Sequence, residues 1–421
     1  MHLFALPALA LLTLILLWLL RWRDYRLPVR ALKAEPDVPA AALPTTEGPQ
    51  VSVVIPTHNE EEALADTLRA LLTQQGVRFE IIVVDIASSD NTDSLLEAFT
   101  TAHPALIRQT HVPASARALN RRQLALTLGI RAAYAPYVVL TRPGCIPFTN
   151  EWLLTMLRHF NEGVDVVAAY TSFAYEDEAH YRTAAWSRVR SFLRQLRAWR
   201  RGHLAADDTN LTLRREAFFR CEGFSSVRRA PFGEGQLLSH LLTRQGQAVI
   251  AMGENAQVQQ PLPPAYALRS RHAESYETLR HLPHVWRRLR WRNSLATCCA
   301  VFFALTLCLQ IALLSTSLYC LPSAQTPASL IPLPPMMAQW LSSVTLPELI
   351  GASVLTLLLL LIALIVPIRL ANRAADALSE PRPNLRLWTY ALTQPWRNLR
   401  ARLSRLRHRK EYHIPIIPPT D

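Results

Sequence analysis

Residues 51–85 read VSVVIPTHNEEEALADTLRALLTQQGVRFEIIVVD, and how this stretch folds decides the rest. VSVVIPT is an apolar run closed by a proline turn, and FEIIVVD is a second such run. Between them Leu64, Leu68, Leu71 and Leu72 recur at the spacing of one helical face. Two strands that are apolar on both faces and joined through a helix make a β-α-β unit, with parallel strands covered by helices. The alternation continues through NTDSLLEAF, LIRQTHV, RRQLALTLGIRAAY, YVVLTR, EWLLTMLRHF and DVVAAY. This predicts an α/β domain over 51–273 with a parallel sheet, whose ligands bind at the carboxyl ends of the strands. The residues to question are therefore 57–60, 85–90 and 141–144.

The flanks read differently. Residues 3–20, LFALPALALLTLILLWLL, are uncharged and about as long as a bilayer core requires, which predicts a transmembrane anchor over 1–22. LATCCAVFFALTLCLQIALLSTSLYC predicts a second span over 295–320, and LIGASVLTLLLLLIALIVP a third over 348–368. Residues 23–50, rich in Pro, Ala and Thr towards their end, read as a linker. The Pro-rich residues 321–347 read as an extracytoplasmic loop. Arginines follow the first span, precede the second and follow the third. The positive-inside rule then makes the chain a multi-pass protein of a bacterial-type plasma (inner) membrane with its α/β domain in the cytoplasm.

The net charge of +13 is concentrated at the end: residues 369–421, read as a basic cytoplasmic tail, hold eleven Lys and Arg against four Asp and Glu. In QPWRNLRARLSRLRHRKEY, Trp396, Leu399, Leu403 and Leu406 form one helical stripe among arginines, which suits membrane lipid of an anionic leaflet. Because this basic run directly follows a span, no nucleic acid partner is expected. The six cysteines lack CxxC or Cys/His spacing, so neither a zinc site nor a disulfide framework is expected. Residues 274–294 read as an interfacial amphipathic helix. A helix over 178–201 has an apolar face of Trp186, Val189, Leu193, Leu196 and Trp199, which suits a sheet, a bilayer or a partner equally.

VSVVIPTHNEEEALADTLRALLTQQ, EIIVVDIASSDNTDSLLE, RRQLALTLGIRAA and PFTNEWLLTML resemble, in order and spacing, the GT-A domain of family 2 glycosyltransferases, a nucleotide-diphospho-sugar transferase-like fold. The resemblance covers roughly residues 51–250. A basic, tryptophan-bearing helix entering a span, as in the processive synthases of cellulose and hyaluronan, extends it to about 320. It implies that Pro56, Thr57, Asn59 and Glu60 touch the nucleotide, with capping of the following helix by Asn59 or Glu60 as the plainer reading. It implies that Asp85 accepts hydrogen bonds from the base or ribose. The family's second aspartate at this strand end is Ile86 here, and Ser88, Ser89 and Asp90 read as a helix cap.

The resemblance also shows what is missing. The family holds Mg²⁺ or Mn²⁺ with an Asp-x-Asp; aligned on Cys145, Pro147 and Trp152, this chain reads Arg142-Pro143-Gly144. A guanidinium has five donors and no lone pair for a metal, so no metal cofactor is expected. Arg142 either meets a phosphate as a fixed cation or is a solvated loop residue. The family's Gly-Glu-Asp, whose aspartate is the general base, is Gly233-Glu234-Gly235. Glu234 points about 100° away from the base position and substitutes only if the loop shifts. Asp207 and Asp208 are the other carboxylates open to recruitment, although no spacing supports them. Gln-x-x-Arg-Trp becomes RRLRW over 287–291. Arg287 and Arg290 are placed on the diphosphate and Trp291 at the acceptor, or else Trp286 and Trp291 simply sit at headgroup level.

Two readings of function follow. Loss of carboxylates at 86, 142, 144 and 235 leaves the cleft without acidic function, so the favoured expectation is an inactive site in a scaffold or regulatory partner of an active glycosyltransferase in glycan or polysaccharide assembly. The alternative is a metal-independent transferase moving sugar from a nucleotide-sugar donor to a lipid or polysaccharide acceptor at the cytoplasmic membrane face. A missing general base alone is worth ~100- to 10,000-fold in rate.

Overall fold

The computed structural model describes residues 47–113, 120–176, 180–228, 230–319 and 346–407, and isolated residues between 9 and 19. The first half of the domain alternates as the sequence predicts: β1 Val51–Thr57, α1 Glu61–Leu72, β2 Phe79–Asp85, α2 Thr92–Ala102, β3 Ile107–His111, α3 Arg121–Ala132 and β4 Tyr137–Leu140. Then come β5 Ile146–Pro147, α4 Trp152–Arg158, β6 Val164–Ala169, β7 Thr171–Phe173, α5 Tyr181–Trp199, β8 Leu211–Arg214 and α6 Arg215–Arg220. The domain closes with α7 Glu234–Thr243, β9 Gln247–Ala251, β10 Val258–Gln260 and α8 Ala265–His281, and the chain continues into α9 His284–Tyr319, α10 Leu346–Asp376 and α11 Arg386–Arg407.

Seven strands form the main sheet in the order β3-β2-β1-β4-β8-β6-β9, and β5-β10-β7 form a small second sheet. β1 pairs in parallel with β2 from Val51–Phe79 to Thr57–Asp85, and with β4 on its other side. Val53, Ile55, Ile81 and Val83 are fully buried in a core shared with Leu64, Leu68, Leu71 and Trp152. The apolar stripe of α1 thus covers the sheet that its flanking strands make.

The sheet is not purely parallel, which corrects the expectation. β8 runs antiparallel to both β4 and β6, with Leu140 opposite Leu211. An alternating apolar pattern fixes which residues form a strand but not which way it runs. The reversal sets the residues entering β8 beside those leaving β4.

The structure decides one open alternative among the helices and divides another expected helix. The apolar face of α5 is accounted for within the domain: Trp186, Val189, Leu193 and Leu196 are buried, and Trp199 Nε1 donates to the Ala248 carbonyl in β9 at 2.5 Å. The expected helix over 274–294 is divided between α8 and α9 at Leu282-Pro283. Leu282 is extended at φ −96°, ψ 156°, as the residue before a proline prefers.

Most of the expected first span, the 23–50 linker, the 321–347 loop and the end of the tail lie outside the described residues. α9 and α10 include the segments expected as the second and third spans. Among the described residues no helix is long and apolar enough to cross a membrane. The chain divides into two compact units, one holding the α/β domain together with residues 374–382, the other holding most of α9 and α10.

Candidate functional site

At the carboxyl end of β4, Thr141 donates from its backbone N–H to the Val54 carbonyl at 3.3 Å and from Oγ1 to the Thr209 carbonyl at 3.1 Å. The second bond ties the exit of β4 to the entrance of β8. Immediately beyond it, Arg142 donates from Nε to Asp208 Oδ1 at 2.9 Å and from Nη2 to Asp207 Oδ1 at 3.1 Å, and Nη2 also contacts Asp208. Arg122, in the first turn of α3, takes the other Asp208 oxygen with Nε at 3.2 Å and Nη2 at 2.9 Å. Arg188 of α5 lies 3.6 Å from Asp207 Oδ2.

The electrostatics follow from that arrangement. Asp208 is fully buried, and burial alone would raise its pKa; the Arg142 and then the Arg122 guanidinium outweigh it and hold the carboxyl well below the usual range. Arg142 is likewise opposed by burial and kept cationic by Asp208 and Asp207. Arg142 is therefore not a solvated loop residue: the exit of β4 is an ion cluster of two aspartates and three arginines. The expectation of a cleft without acidic function is wrong, because the carboxylates enter from β8 instead of from β4.

Gly144 and Gly235, expected from the sequence to stand where the family has aspartates, are both held by this packing. Gly144 has φ +80°, and a Cβ there would meet Pro261 at 2.8 Å. Its N–H donates to the Ala63 carbonyl at 2.9 Å and to Thr67 Oγ1 at 2.8 Å, locking the turn onto α1. At Gly235 a Cβ would run into the backbone of Asp207 and Asp208. The loop that brings the two aspartates to Arg142 thus occupies the volume of any side chain at 235.

Glu234 lies within the electrostatic field of this cluster. It is buried at the start of α7 and accepts from Asn120 Nδ2 at 2.9 Å, while Asn120 Oδ1 caps α3 by accepting from the N–H groups of Arg122 and Gln123 at 3.1 and 3.2 Å. Burial raises the Glu234 pKa and the Asp208 charge raises it further, against the Asn120 bond and Arg122. A buried carboxyl of raised pKa beside fixed cations has the chemical character of a candidate proton acceptor.

The turns that follow β1 and β2 are stitched to each other. Both Asp85 oxygens accept from the Ser88 N–H, at 3.2 and 3.1 Å, and Oδ1 also accepts from Ser88 Oγ at 2.5 Å. Ser88 Oγ accepts from the Asn59 N–H at 2.9 Å, and Asn59 Oδ1 accepts from the Ser89 N–H at 2.7 Å. Asn59 and Glu60 place no side-chain cap on α1; the Glu61 N–H there donates to Asp90 at 3.3 Å. Asp90 also accepts from the Thr92 N–H at 3.2 Å, serving both helices. Pro56 and Thr57 are buried beneath this turn, while Asn59 and Glu60 are exposed at its rim. Although Glu60 is exposed at the surface, partial desolvation by the surrounding turn raises its pKa, opposed by Arg122, Arg142 and Arg271, which places Glu60 within the field of the ion cluster.

RRLRW spans the start of α9. Arg287 donates to His284 Nδ1 within the first turn of α9 at 2.7 Å, Trp291 is 77% exposed, and the side chain of Arg290 lies outside the described residues.

The donor set does not fit the family's divalent cation. Asp207 and Asp208 are engaged by guanidinium groups, Arg142 stands at one expected ligand position, and a glycine fixed by its φ stands at the other. Among the described residues no three His, Cys, Asp or Glu are grouped to hold a metal ion.

The family description "Glycosyl transferase family 2" matches residues 52–235. No curated protein matches the chain. Among solved structures, the chain is similar to the mannosyltransferase PcManGT of Pyrobaculum calidifontis in complex with GDP-Man and Mn²⁺. The TM-score is 0.50 and the identity 19%, over 84% of this chain and 99% of that one, a likeness of fold. Weaker likenesses are to S. aureus TarS 1–349, with TM-score 0.38 and 15% identity over 83% of this chain and 89% of that one, and to GalNAc-T7 with UDP, GalNAc and Mn²⁺, with TM-score 0.38 and 13% identity over 51% and 44%.

Proposed function

Since residues 52–235 form a family 2 glycosyltransferase domain, we propose that the chain keeps the GT-A architecture without metal-assisted sugar transfer and serves as a membrane-held scaffold or regulatory partner of an active transferase in glycan or polysaccharide assembly. One observation carries this reading: the ion cluster of Arg142 with Asp207 and Asp208 at the strand end where the family binds its metal. Loss of function by simple decay would leave that strand end unconstrained. Here it is rebuilt, with Gly144 and Gly235 held by their surroundings.

The membrane part of the reading is supported by the apolar side chains that α9 and α10 expose, among them Leu305, Leu309 and Ile311, and Val354, Leu358, Ile362 and Ile365. The test uses the full chain in detergent with a panel of GDP- and UDP-sugars, with Mn²⁺ or with EDTA, beside co-purification from membranes. No metal-dependent turnover and recovery with a transferase are expected. Turnover abolished by EDTA, or a chain consistently recovered alone, contradicts the reading.

A second reading is favoured by Glu234. Its raised pKa beside Arg142 and Arg122 supplies a base and fixed cations, as a metal-independent transferase would need. Turnover that persists in EDTA and is lost in Glu234→Gln would select this reading.

A further inference from the structure

Residues 374–382, the end of α10 and the turn after it, belong to the same compact unit as the α/β domain. Ala374 and Ala375 are fully buried, and Leu378 nearly so. The chain turns there: the N–H groups of Leu378 and Glu380 both donate to the Ala375 carbonyl, at 2.9 and 3.0 Å, and Ser379 between them takes the left-handed φ of 55°. The turn carries Glu380 inward to 6% exposure, where Oε1 accepts from the Tyr170 hydroxyl at 2.6 Å.

Tyr170 sits between β6 and β7, fully buried, with its ring edge-on to Phe192 of α5 at 4.9 Å. The charged and titratable groups facing Glu380 are Tyr170 itself and, from α5, Arg188 and Tyr181. Within its own segment Asp376 is paired with Arg382 at 2.7 Å on the exposed side. The carboxyl is therefore buried against a phenol, and among the described residues no cation is hydrogen-bonded to it.

We propose that residues 374–382 form a proton-sensitive strap, seated on the α/β domain while Glu380 is protonated and loosened when it ionises. The geometry supplies the reason: a neutral carboxyl fits the buried seat beside Tyr170, whereas a carboxylate there has, among the described residues, one hydrogen bond and the charge of Arg188 without a hydrogen bond to it. Burial pushes the Glu380 pKa up to about 7, against the Tyr170 hydrogen bond and the Arg188 charge. The value lies above the ordinary one, so seating is complete below the ordinary glutamate range and is lost as the pH rises through about 7. A shift of that size makes seating about tenfold stronger at pH 6 than at pH 8. Arg188, which acts on Glu380, is also the arginine beside Asp207, so the charge on the strap bears on the cleft cluster.

The inference does not depend on whether the domain transfers sugar. It is tested on the full chain in detergent by hydrogen–deuterium exchange at pH 6 and pH 8, corrected for the intrinsic chemical rate. Protection of 374–382 is expected to fall about tenfold between the two while β1 and β2 stay unchanged. In Glu380→Gln, protection should be high and the same at both values. In Tyr170→Phe, which keeps the buried ring, protection at pH 6 should drop. No pH effect in the wild type, an equal pH effect in Glu380→Gln, or unaltered protection in Tyr170→Phe each overturns the proposal.

Discussion

Arg142, leaving β4 and half-buried, and the fully buried Asp208, entering β8, form an ion pair because β8 runs antiparallel to β4. Strand direction alone brings residues 66 positions apart to one strand end. The consequence is an inversion of charge: where a divalent cation would be held by carboxylates from β4, a guanidinium from β4 is held by carboxylates from β8.

The first prediction concerns that pair. Arg142→Ala leaves Asp208 buried with only Arg122, and breaking a buried pair from one side costs about 3–5 kcal/mol. The melting temperature should fall accordingly. Arg142→Lys keeps the charge but loses the fork of Nε and Nη2, and should recover only part of the loss. A melting temperature unchanged in Arg142→Ala would show that the cluster is not structural.

Gly235→Asp restores the residue the family uses as its base, yet its Cβ meets the backbone at Asp208. Overpacking of this kind costs about 1–3 kcal/mol. The variant should melt lower than wild type and gain no transferase activity. An active Gly235→Asp would mean that the 207–208 loop yields readily.

Asn120 holds two structures together, the start of α3 and Glu234. Asn120→Ala removes a helix cap, a loss of typically about 1 kcal/mol, and also the donor that satisfies a buried carboxyl. Asn120→Asp retains the cap but sets a second carboxylate against Glu234. It should therefore be destabilised more at pH 8 than at pH 5, which melts at the two values will show.

Asp208 and Glu234 should respond to pH in opposite directions. Asp208 is held below the ordinary range, so its contribution is present above that range and is lost as the pH falls through and below it. Acid unfolding should be less steep in Arg142→Gln than in wild type. Glu234 is raised, so its contribution is full below the ordinary glutamate value and is lost as the pH rises through its folded value. Glu234→Gln should flatten the decline of stability towards alkaline pH, and an unaltered decline would place that titration elsewhere.

The β-α-β core is legible because apolar runs of strand length and a helical stripe of period 3.6 are visible in 51–85 and repeat through 140. The direction of β8 is not, since LTLR reads alike either way, and so Asp207 and Asp208 remain two carboxylates without an address. The apolar stripe of α5 is equally visible, but a stripe does not name its target, and only packing shows that Trp199 reaches Ala248. Pro283 does carry a local signal, and it divides what a smooth amphipathic pattern over 274–294 suggests is one helix. The glycines at 144 and 235 read as losses in sequence because the volume beside them is set by residues far along the chain.

The central claim is that this cleft holds an internal cation in place of a divalent one. Calorimetric titration of the full chain with a nucleoside diphosphate, in Mn²⁺ and in EDTA, tests it most directly. The account predicts that Mn²⁺ adds nothing to binding by the protein, once metal binding to the free nucleotide is subtracted. Micromolar binding seen with Mn²⁺ and absent in EDTA would contradict it.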